Sequence, residues 1–319
     1  MPRRAFALLT AVALGAAALP VQAHPAVLRA DAPSQGVVAA HRPTVPRGEA
    51  AGTVADAVLV GAGDIASCDR SGDSKTAALV EDIAGTVFTT GDNTYDKGTL
   101  GEFETCYDPT WGAFRNRTRP SPGNHDYETV DAIGYFTYFG SAAGDPARGY
   151  YAYDLGAWRI YSLNSNCSEV GGCDAGSPQR AWLKADLAGN PRQCVLAYWH
   201  HPRFSSGEHG NNPRVKGLWT ALYQAGADVI VNGHDHDYER FAKLRPNGDR
   251  ASHGMREFVV GTGGAERRPF GRIKAHSQAR NASTFGVIKL TLRATSYEWR
   301  FVPQAGKTFT DRGSTTCSG

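Results

Sequence analysis

The 319-residue chain lacks four features that would each point to a different class of protein. None of its six cysteines stands in a Cys-x-x-Cys spacing, which argues against a thiolate zinc site and a dithiol redox centre. There is no internal repeat, so the sequence reads as one folded domain behind a leader. The apolar stretch Ala5 to Leu19 is too short for a stable transmembrane span. Charge of neither sign dominates: 34 basic residues face 31 acidic ones. Loss of residues 1–23 would remove two arginines and no acid, leaving 32 against 31, which is no footprint for a nucleic-acid scaffold.

What the chain does have begins at its first residues. Arg3-Arg4, the apolar stretch and Val21-Gln22-Ala23 supply the charged, apolar and small-residue regions of a cleavable export signal over residues 1–23. Arg3-Arg4-Ala5-Phe6-Ala7-Leu8 is similar to a twin-arginine signal, with the general unfolded-chain route as the alternative. The expected location is therefore secreted, periplasmic or extracellular. Six cysteines in an exported chain point to disulfides, for which 15 full pairings exist. Cys167 and Cys173 are close enough to staple the loop between them. Cys68 with Cys106 and Cys194 with Cys317 would complete a set, and free structural thiols are the other reading.

Residues 24–55 are rich in Ala, Pro, Val and Arg without periodicity and read as a poorly ordered leader. Residues 56–319 read as the single catalytic domain, and the 319-residue chain, 41% hydrophobic, can bury a large core. Continuous apolar runs at 57–61, 86–90, 194–199 and 228–231 predict doubly covered strands. Helices are expected over 73–83, within 103–114, from Ser177-Pro178 to about Leu187 and around 218–224. A hairpin is expected over 150–163, and strands at 257–260 and 285–302 end the chain in a mostly antiparallel sheet. The expected fold is α/β (α+β), two facing mixed β-sheets flanked by helices, with a cleft at one sheet edge.

Five motifs stand where hydrophobic runs end: Gly63-Asp64, Gly91-Asp92-Asn93-Thr94-Tyr95, Gly123-Asn124-His125-Asp126, His200-His201-Pro202 and Gly233-His234-Asp235-His236. A strand ending in Gly-Asp lets a carboxylate leave the sheet on a tight turn, and several such turns can converge on one cleft. Two cations about 3.5–4 Å apart need a bridging carboxylate, neutral imidazoles and an amide or carbonyl oxygen. Taken singly, Asp64 is more often a turn residue, Tyr95 a packed aromatic, Asn124 a left-handed turn and His125 a surface histidine. In this order together they form the ligand set of a two-metal phosphoesterase. His201 reads as a neighbour of the ligands, and the loop Gly261 to Arg268 reads equally as a solvated loop or an arginine-bearing wall of the cleft. Asn116-Arg117-Thr118, Asn166-Cys167-Ser168 and Asn281-Ala282-Ser283 fit glycosylation acceptors.

From about Val58 to Arg240 these motifs resemble the calcineurin-like metallophosphoesterases, and most of all the purple acid phosphatases of the tartrate-resistant type. Tyr95 stands three residues after Asp92, where that group carries a ferric-binding phenolate. Ala66 stands where ordinary members of the superfamily carry a histidine and the purple group usually a glycine. Carried over, Asp64, Tyr95 and His236 hold the first metal, Asp92 bridges, and Asn124, His200 and His234 hold the second. His125 corresponds to the general acid and His209, in Glu208-His209-Gly210, to a substrate-facing histidine. The resemblance implies a hydrolase of phosphate monoesters acting through metal-bound hydroxide, with Fe(III) in the first site and Zn, Mn or Fe(II) in the second. The rivals are a phosphodiesterase or nucleotidase on the same scaffold and a non-catalytic secreted metal-binding module. The partner is a small phosphate ester; no membrane span is expected.

Overall fold

The apolar runs become the centre of two sheets. The structure is a computed structural model and describes residues 55–318. The expected export signal, and the leader up to residue 54, lie outside the described residues. In chain order the strands are β1 (Ala57–Ala62), β2 (Ala66–Ser67), β3 (Thr86–Thr89), β4 (Thr94–Tyr95), β5 (Thr118–Arg119), β6 (Tyr151–Leu155), β7 (Trp158–Ser162) and β8 (Cys194–Tyr198). They continue with β9 (Val229–Asn232), β10 (Tyr238–Leu244), β11 (Met255–Val260), β12 (Ser277–Asn281), β13 (Gly286–Leu292), β14 (Ser296–Pro303) and β15 (Arg312–Thr316). One sheet runs β15-β14-β13-β1-β3-β5 and the other β12-β10-β11-β9-β8-β7-β6, while β2 and β4 form a separate pair. Both large sheets are mixed: β1 is parallel to β3 and antiparallel to β13, and β9 is parallel to β8 and β11.

The alternation along β8 shows why its sequence is apolar throughout. Leu196 and Tyr198 face the core between the sheets with Phe88, Val231, Ile288 and Trp299. Val195 and Ala197 face a second core under the helices, with Leu183, Leu218, Trp219 and Leu222. Each fully buried aliphatic or aromatic side chain contributes about 1.5–3 kcal/mol, so cohesion comes from these two cores more than from surface ion pairs. The helices are α1 (Gly72–Glu81), the single turn α2 (Leu100–Glu102), α3 (Ile133–Phe139), α4 (Pro178–Gly189) and α5 (Lys216–Gln224). Ser177 caps α4, its hydroxyl accepting from the Arg180 N–H at 3.3 Å, with Pro178 in the first turn where no N–H is needed.

The segment expected as a helix over 103–114 differs. Asp108 N–H donates to the Phe103 carbonyl at 2.8 Å, a π-type turn over Phe103–Tyr107, and a 3₁₀ turn follows over Trp111–Arg117. Pro109 lacks an N–H and cannot continue an α-helical ladder. The aromatics are buried all the same, Phe103 stacked on Tyr138 at 4.9 Å and Trp111 donating to Thr76 at 3.0 Å.

Three disulfides close the structure: Cys68–Cys106, Cys167–Cys173 and Cys194–Cys317. They are the pairs set out from the sequence, and they fit an oxidising compartment outside the cytoplasm. Among the described residues no helix is long and apolar enough to cross a membrane.

Candidate metal centre

Strands β1 and β3 of one sheet and β8 and β9 of the other end at the same pole, and each delivers a candidate ligand just beyond its last residue. Asp64, Asp92 and His234 each follow a glycine and take positive φ, at 60°, 48° and 72°. Such conformations cost a non-glycine residue of order 1–3 kcal/mol and persist only where surrounding contacts fix them. The contacts are a ladder between the first two loops, in which the N–H groups of Asp64, Ile65 and Ala66 donate to the carbonyls of Gly91, Asp92 and Asn93 at 3.0–3.1 Å. That ladder continues as β2 and β4, where Ser67 pairs with Tyr95. This pairing carries the phenol to Asp64, with Ala66 buried beneath it.

Two groups of donors result. In the first, the Tyr95 hydroxyl oxygen lies 2.9 Å from Asp64 Oδ1, 3.1 Å from Asp92 Oδ2 and 3.2 Å from His236 Nε2. In the second, His200 Nε2 lies 3.2 Å from Asp92 Oδ2, 3.0 Å from Asn124 Oδ1 and 3.1 Å from His234 Nδ1. Asp92 Oδ2 stands between the groups, and Asp92 Oδ1 accepts from the His125 N–H at 2.9 Å. Backbone carbonyls aim the rings: His200 Nδ1 donates to Thr90 O at 2.8 Å and His236 Nδ1 to Glu266 O at 2.7 Å, leaving both Nε2 atoms facing the cleft.

This donor set fits cations. The Tyr95 hydroxyl has one proton for two carboxylate oxygens, and His200 Nε2, if neutral, turns a lone pair toward other lone pairs. Among the described residues no lysine or arginine pairs with Asp64 or Asp92, although both are fully buried. With protons as the only positive charges, burial would raise Asp92 and lower His200; their mutual attraction overrides it, holding Asp92 well below the carboxylate range and His200 up at about 9. Burial, then Asp64 and Asp92, pushes the Tyr95 hydroxyl well above its ordinary value, so a phenolate there requires a cation. Burial and the neighbouring His200 hold His234 neutral, the ligand form. Two carboxylates, a phenol, an amide oxygen and three imidazoles suit hard and borderline ions.

Of the two residues expected to face substrate, His125 donates from Nδ1 to Asp96 O at 2.5 Å and presents Nε2 4.0 Å from Asp92 Oδ2. A cavity of about 250 Å³ opens beside Tyr95, His125 and His236, walled by Arg70, Glu266 and Arg268. His209 sits at the rim, stacked on His234 with centroids 4.2 Å apart, its Nε2 accepting from Arg268 at 3.0 Å. The loop ending at Arg268 therefore walls the cleft. His201 packs 4.4 Å from His234, with its Nδ1 2.8 Å from the Ser165 hydroxyl, and burial and His200 push it down to about 3. Of the glycosylation-type asparagines, Asn166 is buried and donates to the carbonyls of Pro122 and Gly123.

In the sequence Asp126 stands only as the end of its motif. Fully buried, it accepts from the Gly123 N–H at 2.8 Å and from the Asn93 side chain at 3.0 Å, fastening the second motif to the third. Burial and Asp92 push it up to about 7. Arg70, paired with Glu266 at 3.2 Å across the cavity mouth, comes from a distant loop and left no local signal.

Gly123 leaves no room in the cradle: a Cβ there would lie 2.1 Å from Asp92 Oδ1 and 2.3 Å from Asp92 N. Gly123→Ala is expected to displace the Asp92 loop, costing about 1–3 kcal/mol of stability and at least a tenfold loss of metal affinity. Calorimetric melting and metal titration check it.

Comparison with known proteins agrees with this geometry. The calcineurin-like phosphoesterase family model matches residues 56–238, more than half of the chain. An uncharacterized protein of Mycobacterium tuberculosis is 32% identical over 167 residues, covering 43% of this chain and 32% of that protein. Purple acid phosphatase 15 of Arabidopsis thaliana is 30% identical over 173 residues, 48% of this chain and 32% of that one. Purple acid phosphatase 18 of the same plant is 28% identical over 156 residues, 44% and 35%. The chain spans about a third of the length of these curated relatives. Among solved structures, the yellow lupin purple acid phosphatase PPD1 superposes with a TM-score of 0.67 at 19% identity, covering 83% of this chain and 54% of that one. Plasmodium GAP50, described as the anchor in the inner membrane complex, gives 0.62 at 15% identity, covering 82% and 89%. These two likenesses show the fold. The family match establishes that the chain belongs to the calcineurin-like metallophosphoesterases, and the sequence relatives make it a distant homologue of the plant purple acid phosphatases.

Proposed function

We infer that this protein is an exported dinuclear-metal phosphatase that hydrolyses phosphate monoesters. The observation that carries the reading is the Asp92 carboxylate, set between two donor groups with His125 beside it. Fold alone does not carry it, because a protein described as an anchor shares the fold. Asp64, Tyr95 and His236 would hold Fe(III), and Asn124, His200 and His234 would hold Zn, Mn or Fe(II). When bound, the two cations neutralise phosphoryl oxygens and supply a nucleophile from water at modest pH.

The chain's own residues do the rest. With His125 Nδ1–H held on Asp96 O, Nε2 is the atom that carries a proton toward the cavity, where it is donated to the departing alkoxide oxygen. Arg268 keeps His209 Nε2 as an acceptor and leaves Nδ1–H for a phosphoryl oxygen at the rim. The walls formed by Arg70 and Arg268 favour an anionic substrate.

The test combines activity with colour. Protein loaded with iron under oxidising conditions is expected to release phosphate from monoesters faster than it cleaves diesters, and to show a visible phenolate-to-iron band that Tyr95→Phe removes. Faster diester cleavage would move the reading to a phosphodiesterase. Iron-loaded protein that stays colourless would leave a phosphoesterase with two divalent ions, and metal binding without hydrolysis of either ester would leave a metal-binding module.

A further inference from the structure

The second feature lies on the sheet face opposite the core. Trp299 and Phe301 of β14 and Ile288 and Leu290 of β13 pack inward. Their alternate neighbours must therefore point to the other face. In register across three strands, Lys289 lies opposite Arg300, and Arg300 opposite Arg312. Like charges directly opposite on paired strands are destabilising, and here three basic residues stand in one row. Among the described residues none of the three has an ion pair. The nearby Glu298 is taken by Arg293 at 2.9 Å. The row borders a cavity of about 540 Å³ that the hydroxyl-bearing Thr291 and Ser314 also line.

Strands are spaced about 4.8 Å apart, so the row is roughly 10 Å long, the reach of successive charges on a polymer more than of one small ion. Single-stranded nucleic acid would need exposed aromatic rings for its bases to stack on. Trp299 borders the cavity but is only 7% exposed and packs against the guanidinium groups of Arg240 and Arg256 on the other large sheet, which leaves too little ring for a base to stack on. What remains is recognition by charge and hydroxyl groups alone. We propose that the face of β13, β14 and β15 binds an anionic polysaccharide through Lys289, Arg300 and Arg312, fastening the protein to an acidic surface polymer.

Heparin serves as the probe, with affinity measured by titration calorimetry between about 50 and 200 mM salt. The double variant Arg300→Gln/Arg312→Gln is expected to bind about tenfold more weakly, and its slope of log affinity against log salt is expected to fall by about two. Its phosphate-ester hydrolysis should be unchanged and its melting temperature unchanged or slightly higher, which shows the variant folded. Lys184→Gln/Arg245→Gln removes the same charge elsewhere and should retain wild-type affinity. Equal weakening in both variants, or none in the first, overturns the proposal by reducing the effect to net charge. Single-stranded DNA of matched charge density that binds as tightly as heparin, and is lost in the first variant, also overturns it, because the face would then serve nucleic acid.

Discussion

Asp92→Asn is expected to lose both metal ions and hydrolysis together, with turnover down by three orders of magnitude or more. The substitution keeps the shape of the side chain and removes the negative charge that stands 3.1 Å from Tyr95 and 3.2 Å from His200. Two cations about 4 Å apart repel strongly in a buried site, and one shared carboxylate is what makes their proximity tolerable. The neutral amide puts no negative charge at the position where Oδ2 faces both donor groups. Metal analysis of dialysed protein beside a phosphate-release assay reads both effects. Retention of two ions per chain with near-normal turnover would sink the dinuclear reading, since the clusters would then be independent.

His125→Ala should behave in the opposite way, leaving the metals bound while slowing hydrolysis of alkyl phosphates by roughly 10²- to 10⁴-fold. His125 makes no contact shorter than 4.0 Å to Asp92 Oδ2 through its ring, so its loss spares the donor groups. The ring is tied to Asp96 O and packs 4.5 Å from Tyr95, which fixes the direction of Nε2. An aryl phosphate with a good leaving group needs little protonation and should be slowed far less. Equal slowing of alkyl and aryl esters, with metals intact, would make His125 a positioning residue.

The candidate site was legible in the sequence because several of its donors sit in short motifs just after a run of strand-forming residues. Asp64 after Ala57–Ala62, Asp92 after Thr86–Thr89 and His234 after Val229–Asn232 follow that rule. The arrangement that brings Tyr95 to Asp64 was not readable, because β2 and β4 are two residues each and too short to show periodicity. Strands β12 and β15 escaped for a related reason: Ser277–Asn281 and Arg312–Thr316 lie at sheet edges, where polar residues replace the apolar run, while in the interior strand β10 the charged residues Glu239, Arg240 and Lys243 interrupt it. The row of Lys289, Arg300 and Arg312 is invisible as a charge run, since its members meet only through strand register. Cavity walls such as Arg70 with Glu266 depend on loop meetings that no local pattern encodes.

The Cys194–Cys317 bond has a bearing on how the two sheets are fastened. Cys194 opens β8, at the end away from His200, and Cys317 follows β15 in the other sheet. That pole carries a covalent cross-link between the sheets. At the other pole, Asp64 and Asp92 from one sheet meet His200 and His234 from its partner, so bound cations would act as the second cross-link. The sandwich is thus a book with one glued spine and one removable clasp. Reduction would free the spine and chelation of bound cations the clasp, and only the clasp would open without breaking a covalent bond.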